Sequence, residues 1–151
     1  MRMRTLEVTV ALCLLVPSLA LAHISIWPRQ SGQGAIERYT LRVPTEGKVA
    51  TTSVDLEVPD GVQIESMLTP AGWKYETKRQ GDRIIAITWQ MEVKPGEFVE
   101  YVFMAQNPRD KTQIVWKLRQ HFADGTTRDW TTGPNGTYPT AVTRLAPVAT
   151  R

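Results

Sequence analysis

The chain has 151 residues, 42% apolar and 22% charged, with ten glycines and ten prolines, the make-up of an ordinary globular domain rather than of a disordered, collagen-like or coiled-coil chain. One domain is expected at this length. The formal net charge is only +3 and the longest basic pair is Lys78-Arg79, whereas phosphate recognition needs several cationic contacts on one face, so nucleic acid and anionic membrane surfaces are set aside as partners.

Residues 1–22 read as a secretory leader. Arg2 and Arg4 precede an almost wholly apolar run from Val8 to Leu19, and Ala20-Leu21-Ala22 offers the small residues that a signal peptidase reads. The run is shorter than the ~20 residues a membrane span requires, and no later stretch is longer, so no membrane anchor is expected. Cleavage after Ala22 makes His23 the first residue and places the product in a periplasm or outside the cell. The single cysteine, Cys13, lies inside the leader. The processed chain therefore has no thiol, which excludes disulfide scaffolds, zinc ribbons and thiol catalysis.

From Ile24 onward the apolar residues recur with a period of two, the signature of half-buried strands. Tyr39, Leu41 and Val43 alternate with Arg38 and Arg42. Thr52, Val54, Leu56 and Val58 alternate with Asp55 and Glu57. Ile85, Ile87 and Trp89 form a third series, and Phe98 to Ala105 is apolar on both faces, as in the middle of a sandwich. Ile114, Trp116, Leu118 and Phe122 alternate with Lys117, Arg119 and His121. Turn residues punctuate them at Pro44 to Gly47, Pro59-Asp60-Gly61, Pro70-Ala71-Gly72, Gln80-Gly81-Asp82, Lys94-Pro95-Gly96, Asn107-Pro108 and Asp124-Gly125. Asn135-Gly136-Thr137 fits a glycosylation pattern and reads as a further turn. The pattern predicts an all-β, immunoglobulin-like antiparallel β-sandwich of seven to nine strands over residues 23–142, followed by a short polar tail, 143–151.

Processing creates the sharpest chemical feature. A free N-terminal histidine offers its α-amine and imidazole Nδ1 to one metal ion in a six-membered chelate ring, and two nitrogens in one plane suit copper(II). A second histidine would complete the three-nitrogen brace of copper monooxygenases; the one available is His121, whose alternation puts it on a solvated sheet face. Met67, Met91 and Met104 have no paired spacing and read as core filler. Trp89 and Trp116 fall on the core face. A carboxylate remains as the further ligand, and spacing alone ranks Glu46, in its turn, no higher than Glu37.

Several short motifs stand in one order: His23-Ile24-Ser25-Ile26-Trp27-Pro28, Tyr39 to Glu46 with its Val-Pro-Thr-Glu ending, Val58-Pro59-Asp60-Gly61, Gly72-Trp73-Lys74, Pro95-Gly96-Glu97, and Gln120 to Gly125 followed by Trp130. Together with the histidine at the cleavage point they resemble the YcnI-like family of copper-binding periplasmic or extracellular proteins. The resemblance runs from His23 to about Val142. It implies an immunoglobulin-like sandwich that holds one copper(II) ion through the amine and imidazole of His23 and the carboxylate of Glu46, with Trp130 beside the metal. It implies no role for His121. Many members carry a proline-rich stalk and a C-terminal membrane helix that this sequence lacks, so a diffusible form is expected. The function expected is that of a non-enzymatic chaperone or buffer in copper homeostasis, exchanging copper with a membrane transporter or another periplasmic copper protein. Two rivals are a copper monooxygenase, which would need His121 brought to His23, and a metal-free interaction module.

Overall fold

A computed structural model describes residues 23–132 and 136–147. The leader expected at 1–22 and Asn135 of the expected turn lie outside the described residues. Eleven strands run along the described chain, with no helix among its residues: β1 Ser25–Trp27, β2 Gln30–Gly32, β3 Ile36–Pro44, β4 Thr51–Glu57, β5 Gln63–Met67, β6 Lys74–Gln80, β7 Arg83–Val93, β8 Phe98–Gln106, β9 Gln113–Phe122, β10 Thr127–Trp130 and β11 Ala141–Ala146.

They form two sheets. One has the order β1-β3-β8-β5; the other runs β2-β11-β9-β4-β7-β6, with β10 also paired to β9. β10 and β11 share work along β9: β11 pairs with Ile114 to Trp116 and Gln113, β10 with Leu118 to His121. All pairs are antiparallel except β2 with β11, which is parallel. The all-β sandwich expected from the period-two pattern is present, with more and shorter strands than seven to nine and with that one parallel pair.

The inward residues interdigitate into one core. Tyr39, Leu41 and Val43 of β3 are fully buried, as are Val54 and Leu56 of β4 and Trp116 of β9. Aromatic rings bridge the sheets: Tyr39 lies 4.9 Å from Trp116 and Trp89 lies 4.3 Å from Tyr101, centroid to centroid, separations at which ring pairs add to plain area burial. Burial also pushes the Tyr39 and Tyr101 phenols well above their ordinary range.

Four details differ from the alternation read in the sequence. A bulge between Thr51 and Ser53 inserts one extra residue, so Thr51 rather than Thr52 points inward and is fully buried. A register shift where β6 meets β7 similarly buries Ile84 while Ile85 stays half-exposed. β8 is central in its sheet, yet only one of its faces meets the core: Phe98 is exposed, and Met104 sits on the outer face rather than filling the core. Met67 and Met91 pack at the core's margin. Finally, the polar tail expected from Thr143 is strand β11 as far as Ala146. Its threonine is polar but buried: Thr143 Oγ1 accepts from Trp116 Nε1 at 3.1 Å and donates to the Pro28 carbonyl at 3.1 Å.

Candidate metal site

β1 and β3 pair with Ser25 opposite Arg42. Continuing that antiparallel register by two residues sets His23 opposite Pro44, two residues before Glu46. His23 is exposed and lines a cleft of about 330 Å³ together with Ile24, Ser25, Ile26, Arg29 and Pro139 to Val142. That far wall leads to the third candidate. Thr132 binds the Tyr138 carbonyl at 2.6 Å through its hydroxyl, which brings the Tyr138 ring edge-on to Trp130 at 5.4 Å.

The Glu46 turn is fixed from several sides. Thr45 N–H donates to the Glu97 carbonyl at 2.8 Å, and the Thr45 and Thr51 hydroxyls meet at 2.7 Å. Gly47 follows at φ +85°, a left-handed conformation in which a Cβ is strained. Glu46 Oε2 accepts from Arg128 Nη1 at 3.0 Å, each side chain about one-fifth exposed.

One buried amide ties these pieces together. Gln120 is fully buried on the core side of β9. Its Nε2 donates to the Pro44 carbonyl at 2.9 Å and to Thr51 Oγ1 at 2.7 Å, and its Oε1 accepts from Trp130 Nε1 at 3.2 Å. The backbone before Glu46 and the indole of Trp130 are thus held by one side chain. Arg128 pairs across the ladder with Gln120 and so points to the same inward face. Its guanidinium lies over Phe122 at 5.5 Å, Trp130 at 5.7 Å and Tyr138 at 5.0 Å.

Of the residues named from sequence, Glu46 and Trp130 are linked through Gln120 and Arg128, while His23 precedes β1 on the side of the sheet where β3 ends at Pro44 and lines a cleft that contains neither of them. Gln120 and Arg128 went unnoticed as working residues, although the same alternation that put Leu118 and Phe122 inward also puts position 120 there. Arg128 is two residues from Trp130 and shares its face for the same reason.

His121 is elsewhere. Its Nε2 is 2.7 Å from Asp55 Oδ2, and Asp55 accepts from Thr88 Oγ1 at 2.7 Å, all on the outer face of the larger sheet, opposite Gln120. Nearby on that face Arg119 Nε donates to Asp129 at 2.6 Å, which holds the exposed Asp129 carboxyl below its usual range. Glu37 sits at the far end of β3 from Pro44 and accepts from Ser31 Oγ at 2.8 Å. Among the described residues no three His, Cys, Asp or Glu side chains converge as a metal cluster.

The family model described as "Domain of unknown function (DUF1775)" matches residues 23–149. The copper-binding protein CutI of Bacillus subtilis (strain 168) is 31% identical over 129 residues, an alignment that takes in 83% of this chain and 63% of that protein, so the chain spans somewhat under two thirds of its relative's length. A crystal structure of a protein from Nocardia farcinica, described as revealing an immunoglobulin-like fold, superposes with a TM-score of 0.74 at 24% identity over 82% of this chain and 98% of that one. The match from His23 to beyond β11 covers the whole described sandwich, and the chain belongs to the DUF1775 family, the YcnI-like proteins of the sequence reading.

Proposed function

We propose that this protein binds copper(II) outside the cytoplasm, after loss of residues 1–22, and carries or buffers the ion without acting as an enzyme. The similarity to a copper-binding protein of Bacillus subtilis supports copper as the cargo. The α-amine and imidazole of His23 supply two nitrogens and Glu46 an oxygen, beside the indole of Trp130. The observation that carries the reading is that Gln120 is bonded both to the backbone before Glu46 and to Trp130, residues far apart in the chain, at the end of β3 toward which the β1 register leads.

The donor set fits copper(II). Nitrogen and oxygen ligands with no sulfur favour the divalent ion, and a main-chain donor next to the imidazole adds a chelate ring that tightens their hold. The terminal amine is that donor, and it exists only once the amide between Ala22 and His23 is cut. A copper monooxygenase is disfavoured because His121 is spoken for by Asp55 on the opposite face of its sheet. The exchange partner on this reading is a membrane copper transporter or another periplasmic copper protein.

The test is a copper(II) titration of two forms of the protein, one beginning at His23 and one retaining a single residue before it, with paramagnetic resonance reporting the ligands. The form beginning at His23 should bind one ion with nitrogen and oxygen ligation, and the extended form should bind orders of magnitude more weakly while unfolding at the same temperature. Equal affinities would overturn the N-terminal chelate.

A further inference from the structure

Arg128 presents a charge on the inward face of its strand, where long cations are seldom found unless paired. Its guanidinium has a carboxylate on one side, Glu46 Oε2 at 3.0 Å, and the rings of Phe122, Trp130 and Tyr138 within 5.0 to 5.7 Å. A carboxylate and three aromatic faces make a cation site, and the protein fills it with its own side chain. As a stability device the arrangement is a poor choice, because a largely buried ion pair offsets much of its attraction by desolvation. A role at the end of the sandwich where the copper ligands are proposed gives it a purpose.

We propose that Arg128 is a resident counter-cation that competes with the incoming metal for Glu46 and so lowers the affinity of the site. This rests on the reading of Glu46 as a ligand. In the metal-free protein Arg128 neutralises the carboxylate while its guanidinium packs against the three rings. A divalent cation arriving at Glu46 meets a fixed positive charge a few ångströms away, a repulsion that reaches kcal/mol magnitude in a partly buried setting. Arg128 must yield the carboxylate or share it, and it reclaims Glu46 when the ion departs. The exchange keeps Glu46 paired at each stage, which favours release to an acceptor over permanent retention.

Charge and position can be separated by a double-substitution cycle read by copper(II) affinity in the form beginning at His23. Arg128→Gln should tighten copper(II) binding by about tenfold or more with Glu46 present, and should change it little when Glu46→Gln is already in place. Arg128→Lys, which keeps the charge but not the planar fork over the rings, should show clearly less of that tightening than Arg128→Gln. Should Arg128→Gln unfold, Arg128→Met keeps an unbranched stem among the three rings and carries the same expectation. In the metal-free protein, Arg128→Gln should also shift the indole N–H resonance of Trp130, a readout that needs no copper. If Glu46→Gln weakens binding but Arg128→Gln weakens it too or leaves it alone, Arg128 orients the ligand rather than competing, and the inference fails by itself. If Glu46→Gln has no effect, the ligand reading fails and the inference with it.

Discussion

Replacing Gln120 by Leu keeps most of the side-chain volume and removes every polar atom. In the parent protein that amide, fully buried, makes three bonds: to the Pro44 carbonyl, Thr51 Oγ1 and Trp130 Nε1. Thr51 retains the Thr45 hydroxyl at 2.7 Å, but the indole N–H of Trp130, whose residue is 1% exposed, and the Pro44 carbonyl lose this partner. Each buried polar group left without a partner costs ~1–3 kcal/mol, and two of them, less the desolvation the amide itself no longer suffers, come to about 3 kcal/mol. For a domain of this size that lowers Tm by roughly 10 °C. Urea unfolding followed by far-ultraviolet circular dichroism would give the free energy, and near-ultraviolet dichroism would report the loosened tryptophan. Gln120→Glu is a useful companion: its carboxylate still accepts from Trp130 but cannot donate to the Pro44 carbonyl, so it too should destabilise. A loss below about 1 kcal/mol in Gln120→Leu would refute the claim that this network fixes the end of the sandwich.

Glu46→Gln should weaken copper(II) binding in a calorimetric titration without unfolding the domain, whereas Glu37→Gln, roughly 23 Å along β3 from Pro44, should leave it unchanged; the reverse pattern would move the carboxylate ligand. Anaerobic reduction of the loaded protein should pass the metal to a copper(I) chelator, since the ligand set contains no sulfur, and tight retention would count against that set. Truncation before Thr143 should abolish the cooperative transition, because it removes most of β11 and the hydroxyl that serves Trp116 Nε1 and the Pro28 carbonyl; a fold that survives would restore the tail reading. Stripping copper with a chelator should leave the dichroism spectrum intact and lower Tm only by the amount that mass action on the native state requires.

How far the sequence carried the structure depends on what each strand had to encode. Where apolar residues alternate without interruption, as in Tyr39-Leu41-Val43 and Ile114-Trp116-Leu118, the buried face was legible because side-chain direction has a strict period of two. A bulge breaks that period by one residue, and nothing in Thr51-Thr52-Ser53 marks where the extra residue falls, so the wrong threonine was assigned to the core. β11 was unreadable for another reason. Thr143 and Arg144 look solvated, and only the buried bonds of Thr143 Oγ1 to Trp116 and Pro28 reveal that its hydroxyl is satisfied inside. His23 was legible from the chelate chemistry of a processed N-terminus, whereas Glu46 and Trp130 were named through family resemblance, since no spacing rule connects positions 23, 46 and 130. The link between Glu46 and Trp130 follows from pairings between distant strands and the side chains they carry, Gln120 of β9 and Arg128 of β10, information that local pattern does not contain. Gln120 was within reach of periodicity, but a polar residue flanked by Arg119 and His121 reads as surface until its partners are known.

The division between core and rim bears on what kind of metal protein this can be. Small metal-folded domains spend the metal's binding energy on folding and unravel when it leaves. Here the aromatic lattice of Tyr39, Trp89, Tyr101, Phe103 and Trp116 joins the two sheets, and none of those rings belongs to the proposed ligand set. His23 stands exposed before the first strand, and Glu46 occupies a turn whose backbone is pinned by Glu97 and Gln120 rather than by any ion. The contacts that join the sheets therefore call on none of the proposed ligands, and Glu46 has its own partner in Arg128. A protein that receives and surrenders its ion needs that independence, because a scaffold that collapsed on release could not present the same site to the next ion.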